Sequence, residues 1–93
     1  MNIAAMTFRL RLPWAQSLKD KRTVVKSLTA RLRNRFRVSA AEIDGQDAHQ
    51  TAVIGVAAVV PHRAMADSLM EEISRFMETA SEAEILEEIR EIR

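Results

Sequence analysis

An α+β fold, a four-stranded antiparallel sheet with two helices on one face, is what this chain predicts, and three observations predict it. Residues 6–12 alternate apolar and polar, as a half-buried strand does. Two longer stretches, 18–36 and 63–77, repeat apolar residues at helical spacing. Two apolar segments, 38–43 and 52–60, lie between those helices and are separated by a turn signal. At 93 residues, with two Gly and two Pro, the chain reads as one domain, 1–93, with short loops.

The first strand places Met6, Phe8, Leu10 and Leu12 on one side and Thr7, Arg9 and Arg11 on the other. Pro13 ends it, having no N–H for the ladder. Ser17 is then a good N-cap, with Asp20 three residues on as a capping box. Leu18, Val24, Val25, Leu28, Leu32 and Phe36 follow as one apolar stripe. In the segment from Val38 to Ile43 the apolar parity shifts after Ala40, which predicts a bulge near that residue. Asp44-Gly45 signals a turn. Ala52 to Val60 is apolar on both parities and predicts a strand covered on both faces. The second helix, from Arg63 to Met77, puts Met65, Leu69, Ile73, Phe76 and Met77 inward.

The tail pulls two ways. Ser81-Glu82-Ala83-Glu84 has the form of a capping box, and Ile85, Leu86, Ile89 and Ile92 have helical spacing. A β-α-β-β-α chain, however, leaves an edge of its first strand unpaired, and a final strand completes a split βαβ sheet. Topology favours the strand, so the prediction is a ferredoxin-like βαββαβ order. Helices then cover one face only. Val53 and Val59, or the opposite-parity Ile54 and Val56, would lie bare on the other face and are candidates for a homodimer interface.

There is no Cys, which excludes disulfides, thiolate chemistry and zinc–thiolate sites. The N-terminal residues lack the pattern of a signal peptide, and no apolar run reaches membrane-spanning length. The expectation is a soluble cytoplasmic protein with no membrane contact. Net charge is +1 but unevenly spread: residues 1–45 carry ten Lys and Arg against three acids, and residues 46–93 carry four Arg against ten acids. One reading is an anion-attracting side. The other is that the two halves attract each other, within one chain or between copies.

Anion binding is best placed at the first helix. Ser17 sits where free backbone N–H groups and the positive dipole end meet. Lys19, Lys21 and Arg22 add charge in the same turn, and Lys26 and Arg33 extend a stripe along the helix, so these six are the candidate residues for nucleic acid or another anion. Trp14, just before, is a candidate for base stacking, or else a plug at the sheet end. RNA binding on the sheet face is poorly supported, because residues 52–60 contain no aromatic.

No catalytic constellation is visible, so no enzyme, no cofactor and no metal are expected. His49 and His62 lie on different connections and read as ordinary turn residues. Asp44, Asp47 and His49 lack the ligand pattern of a metal loop, and no Walker-type loop, HExxH or nucleophile elbow occurs. Glu42 falls where the strand parity changes; pointing inward, it would need a basic partner, with Arg9 or Arg11 as candidates.

Ser17-Leu18-Lys19-Asp20-Lys21-Arg22, Val24-Val25-Lys26-Ser27-Leu28, Arg31-Leu32-Arg33-Asn34-Arg35-Phe36, Val38-Ser39, Ala41-Glu42 and Gln46-Asp47 together resemble the small bacterial YlxP-like family. The resemblance covers nearly the whole chain. It implies a ferredoxin-like fold and no established activity. Such proteins are often encoded beside translation and transcription factors, which implies a role near RNA or the ribosome. The combined expectation is a non-catalytic RNA- or ribosome-associated binding protein that uses its basic first helix. The alternatives are a dimeric adaptor whose basic helix face grips an acidic protein, or a module binding a small ligand at a dimer seam.

Overall fold

In the computed structural model, which describes residues 1–93, the elements run β1 (Asn2–Arg11), α1 (Leu18–Phe36), β2 (Ser39–Asp44), β3 (Thr51–Val60), α2 (Arg63–Thr79) and β4 (Glu84–Ile92). The strands form one antiparallel sheet in the order β2-β3-β1-β4. This is the expected ferredoxin-like βαββαβ arrangement, and the tail is the strand that topology required.

The register fixes the two faces. Phe8 stands opposite Ile54 on β3 and Glu88 on β4, and Met6 stands opposite Val56. Ala4, Met6, Phe8, Leu10, Ala40, Ala52, Ile54 and Val56 are all buried beneath the helices. There they meet Val25, Leu28 and Leu32 of α1 and Ala66, Met70, Ile73 and Met77 of α2 in one core. Burying a side chain the size of Phe8 or Ile54 contributes about 1.5–3 kcal/mol. Ile54 and Val56 are therefore core residues and not part of a dimer interface: their parity points them at the helices, and only Val53 and Val59 face outward. The inward side of α2 is also rotated from the expectation. Met65 is 48 % exposed, while Met70 is buried.

Two bulges re-aim side chains. The irregularity in β2 falls between Glu42 and Asp44, further along than the Ala40 position expected, so Ile43 is the extra residue. Glu42 keeps inward parity, and Ile43 turns onto the open face over Gly55. A Cβ built on Gly55 would lie 2.9 Å from Ile43 Cγ2, so the glycine makes room for the bulged side chain. In β4 the register shifts beside Arg9/Leu10, which makes Leu86 the extra residue.

β4 carries polar groups on its helix-facing side, and α2 receives them. Ser74 Oγ donates to Glu88 Oε1 at 2.6 Å. Arg90 donates to Glu88 Oε2 at 2.7 Å and to Glu71 Oε2 at 3.0 Å. Hydrogen bonds first to Glu88 and then to Glu71 raise the Arg90 pKa above its ordinary value. A raised pKa contributes stability that is lost only as pH climbs through it. For an arginine that lies beyond any ordinary working pH, so this network holds its cation throughout.

Candidate nucleic-acid interface

α1 begins as its sequence dictates. Ser17 has extended backbone, and its hydroxyl accepts from Asp20 N at 3.1 Å. The reciprocal bond reaches one residue further than a capping box requires: Gln16 N donates to Asp20 Oδ2 at 2.9 Å. The helix closes on Arg37, which takes the left-handed conformation (φ 52°) and donates its N–H to Arg33 O at 3.1 Å. The preceding loop is tied down as well. Gln50 Nε2 donates to Pro13 O and Ala15 O at 3.3 Å each, bracketing Trp14, which remains 41 % exposed.

Four of the five cations expected to form the stripe do so. Lys19, Arg22, Lys26 and Arg33 are exposed and lie along one flank of α1. Arg33 Nη1 donates to Ala40 O at 2.8 Å, which places that flank beside the outer edge of β2. The same bond occupies an edge carbonyl that would otherwise be open to another strand. From Lys19 to Arg33 the stripe runs about 21 Å at 1.5 Å per residue.

Lys21 is the exception, and its assignment to the anion-binding group is corrected by the structure. Its side chain is 0 % exposed. At ~100° per residue it shares the sector of Val25, Leu28 and Leu32, four, seven and eleven positions on. Its ammonium donates to Gly45 O (2.7 Å), Thr51 O (3.2 Å) and Gln46 O (3.3 Å) and stands 2.9 Å from Glu42 Oε2. Three hydrogens face four oxygens. The carbonyls take the aligned bonds, and Glu42 Oε2 is held by charge without an aligned hydrogen. Glu42 thus points inward as expected, but its partner is Lys21. Arg9 pairs instead with Glu87 at 3.3 Å and Arg11 with Glu84 at 3.9 Å. The spacing from Lys21 to Val25 and Leu28 was the signal that could have found this.

Five of the ten acids in residues 46–93 are ion-paired, and their cations lie away from α1. Besides the two β1–β4 pairs, Glu71 meets Arg75 and Arg90, Glu88 meets Arg90, and Glu91 meets Arg93. None of Lys19, Arg22, Lys26, Arg31, Arg33, Arg35 or Arg37 has a carboxylate partner. The balancing of one half by the other is therefore not realised across the face of α1.

The histidines stand apart. His62 is the N-cap of α2, its Nδ1 accepting from Met65 N at 3.2 Å, and His49 is exposed in the β2–β3 connection. No three His, Asp or Glu side chains come together as metal ligands would. No helix is long and apolar enough to cross a membrane.

Two comparisons bear on identity. The chain is 37% identical over 70 residues to the uncharacterized protein YlxP of Bacillus subtilis, covering 75% of this chain and 76% of that relative. A family model described as a protein of unknown function, DUF503, matches residues 3–90. The match takes in both helices, α1 with its cations included, and all but the end residues of β1 and β4, and the chain belongs to the DUF503 family.

Proposed function

We propose that this protein is a non-catalytic RNA-binding protein, acting near the ribosome, that contacts phosphates through Lys19, Arg22, Lys26 and Arg33. One observation carries this reading: the cations on the β2 flank of α1 are exposed and have no carboxylate partner. Surface cations left unneutralised along about 21 Å of helix present a positive track of the kind a phosphate backbone follows. Trp14, at the start of that track, offers a ring on which a base can stack.

Sedimentation of the purified chain with ribosomal subunits and with free ribosomal RNA, over a salt series, tests the reading. Binding that weakens steeply as salt rises is expected, and the triple variant Lys19→Glu, Arg22→Glu, Lys26→Glu should lose it while remaining folded. Undiminished binding by that variant rejects the proposal.

A second reading concerns the sheet face away from the helices, which we assign to a contact between two copies. Val59 is 70 % exposed and Ile43 54 %. They share that face with Ile3, Ala5, Val53, Gly55 and Ala57 by register. β1 and β4 contribute Arg9 and Arg11 against Glu84 and Glu87 to the same face, so it carries both signs and no strong net charge, which suits a self-complementary contact better than a polyanion. Such pairing would double the number of basic helices offered to one RNA.

A further inference from the structure

A separate cleft lies between α1 and α2, on the flank of α1 opposite the stripe. Its volume is ≈ 480 Å³, and it is lined by Arg35, Phe36, Glu72, Arg75, Phe76 and Thr79. That is within the range of small-molecule sites.

Its groups differ in what they are committed to. The Phe36 and Phe76 rings meet edge to face, 5.6 Å apart. The Arg35 guanidinium carbon lies within cation–π reach of both, 5.5 Å from the Phe36 centroid and 5.6 Å from that of Phe76. A cation–π contact leaves the guanidinium N–H groups available as donors. Arg35 has neither a carboxylate partner nor a side-chain hydrogen bond within the protein. Its neighbour Arg31 is the contrast: it also lies over Phe76, at 5.2 Å, but donates to Ala80 O at 2.7 Å and so holds the helices together. Arg75 is lightly held, reaching only Glu71, at 4.0 Å, whose other oxygen serves Arg90. Glu72 is an exposed carboxylate with no cation partner.

An unpaired guanidinium beside a lightly paired one suits a phosphate. A carboxylate beside them opposes a bare anion but accepts well from a sugar hydroxyl. The aromatic floor suits a flat ring. We propose that this cleft binds a nucleotide, with its phosphate on Arg35 and Arg75, a sugar hydroxyl on Glu72 and its base against Phe36 and Phe76. The source is either a free nucleoside monophosphate or one nucleotide of an RNA strand. The site does not depend on the stripe, since it shares none of its residues.

The test is an NMR titration of the isotope-labelled full chain with adenosine monophosphate, adenosine, inorganic phosphate and a short oligoribonucleotide. The readouts are the arginine Nε–H signals and the Phe36 and Phe76 ring signals. Saturable shifts of both sets with adenosine monophosphate are expected. Arg35→Gln should raise the Kd about ten- to hundredfold, in keeping with loss of a charged hydrogen bond. Glu72→Ala, at an exposed helix position, should weaken the nucleotide and not phosphate. The Lys19/Arg22/Lys26→Glu variant should leave adenosine monophosphate affinity unchanged, so failure of the stripe and failure of the cleft are told apart. Tighter binding of the oligonucleotide than of the monophosphate identifies a strand as the source, and equal binding identifies the free nucleotide. No saturable shift at millimolar adenosine monophosphate, phosphate binding as tightly as the nucleotide, or an affinity untouched by Arg35→Gln each overturns the proposal.

Discussion

Lys21 Nζ stands 2.9 Å from Glu42 Oε2 inside the fold, tying the first turn of α1 to β2, with the carbonyls of Gly45, Gln46 and Thr51 around the same ammonium. The pair is unequal. Removing Lys21 strands a carboxylate whose side chain is only 14 % exposed and removes the donor to three carbonyls. Removing the charge of Glu42 leaves the ammonium with all three carbonyl bonds. Lys21→Met is therefore expected to cost about 3–5 kcal/mol, the range for breaking a buried pair from one side. Glu42→Gln should cost clearly less. Urea denaturation of both variants decides: equal losses would mean that the carbonyl bonds contribute nothing and that the ion pair alone matters.

Gly55 and Ile43 make a second coupled pair, on the open face. A Cβ at 2.9 Å from Ile43 Cγ2 forces that side chain to move, and Ile43 is half exposed, with room to swing. Gly55→Ala should thus destabilise the chain modestly, by about 1 kcal/mol, as overpacking at a tolerant site does. In an Ile43→Ala background the clash is gone. The same substitution should then stabilise by about 0.4–1 kcal/mol through the entropy of the unfolded chain. A double-mutant cycle with no change of sign would show that the two side chains do not compete for this space.

Much of the architecture was legible because its signals are local. Alternation marked β1, the Ser17 cap and apolar spacing marked α1, and the dense apolar run marked β3. β4 was legible only through topology, since Glu88 and Arg90 sit on its helix-facing side and are satisfied by Ser74 and Glu71 on α2, so no clean alternation survives. The site was partly legible. Periodicity separated Lys19, Arg22, Lys26 and Arg33 from the core, but Lys21 was grouped with them by charge although its phase is that of Val25 and Leu28. A lysine on an apolar phase is hard to interpret from sequence because its partners, one carboxylate and three carbonyls, come from segments more than twenty residues away. Ile54 and Val56 could not be told from Val53 and Val59, because a strand apolar on both parities does not say which face the helices take.

The phosphate reading makes a quantitative claim about salt. Four contacts, from Lys19, Arg22, Lys26 and Arg33, imply a log–log slope of affinity against salt near about −3 on single-stranded RNA. Each single substitution to Gln should flatten the slope by about 0.7. Arg33→Gln carries a second effect, since it also frees the Ala40 carbonyl at the β2 edge. Fluorescence anisotropy with a labelled oligoribonucleotide gives these slopes. A slope near zero, with affinity indifferent to Lys26→Gln, would remove phosphate contact from α1.

The open sheet face gives the last prediction, and its two parities provide an internal control. Val59 is exposed at the end of β3 and Ala57 is exposed two residues before it, both on the face away from the helices. If two copies meet there, Val59→Glu with Ala57→Glu brings like charges together across the two-fold contact and should convert a dimer into a folded monomer. Against water the same changes are nearly neutral, so the thermal midpoint at low concentration should hardly move. Ile54→Glu on the other parity should instead unfold the chain, because Ile54 is fully buried against the helices and a carboxylate there has no partner. Sedimentation equilibrium on the wild type and the paired variant, with circular dichroism alongside, separates the outcomes. An unchanged mass for the paired variant rejects the sheet-to-sheet contact.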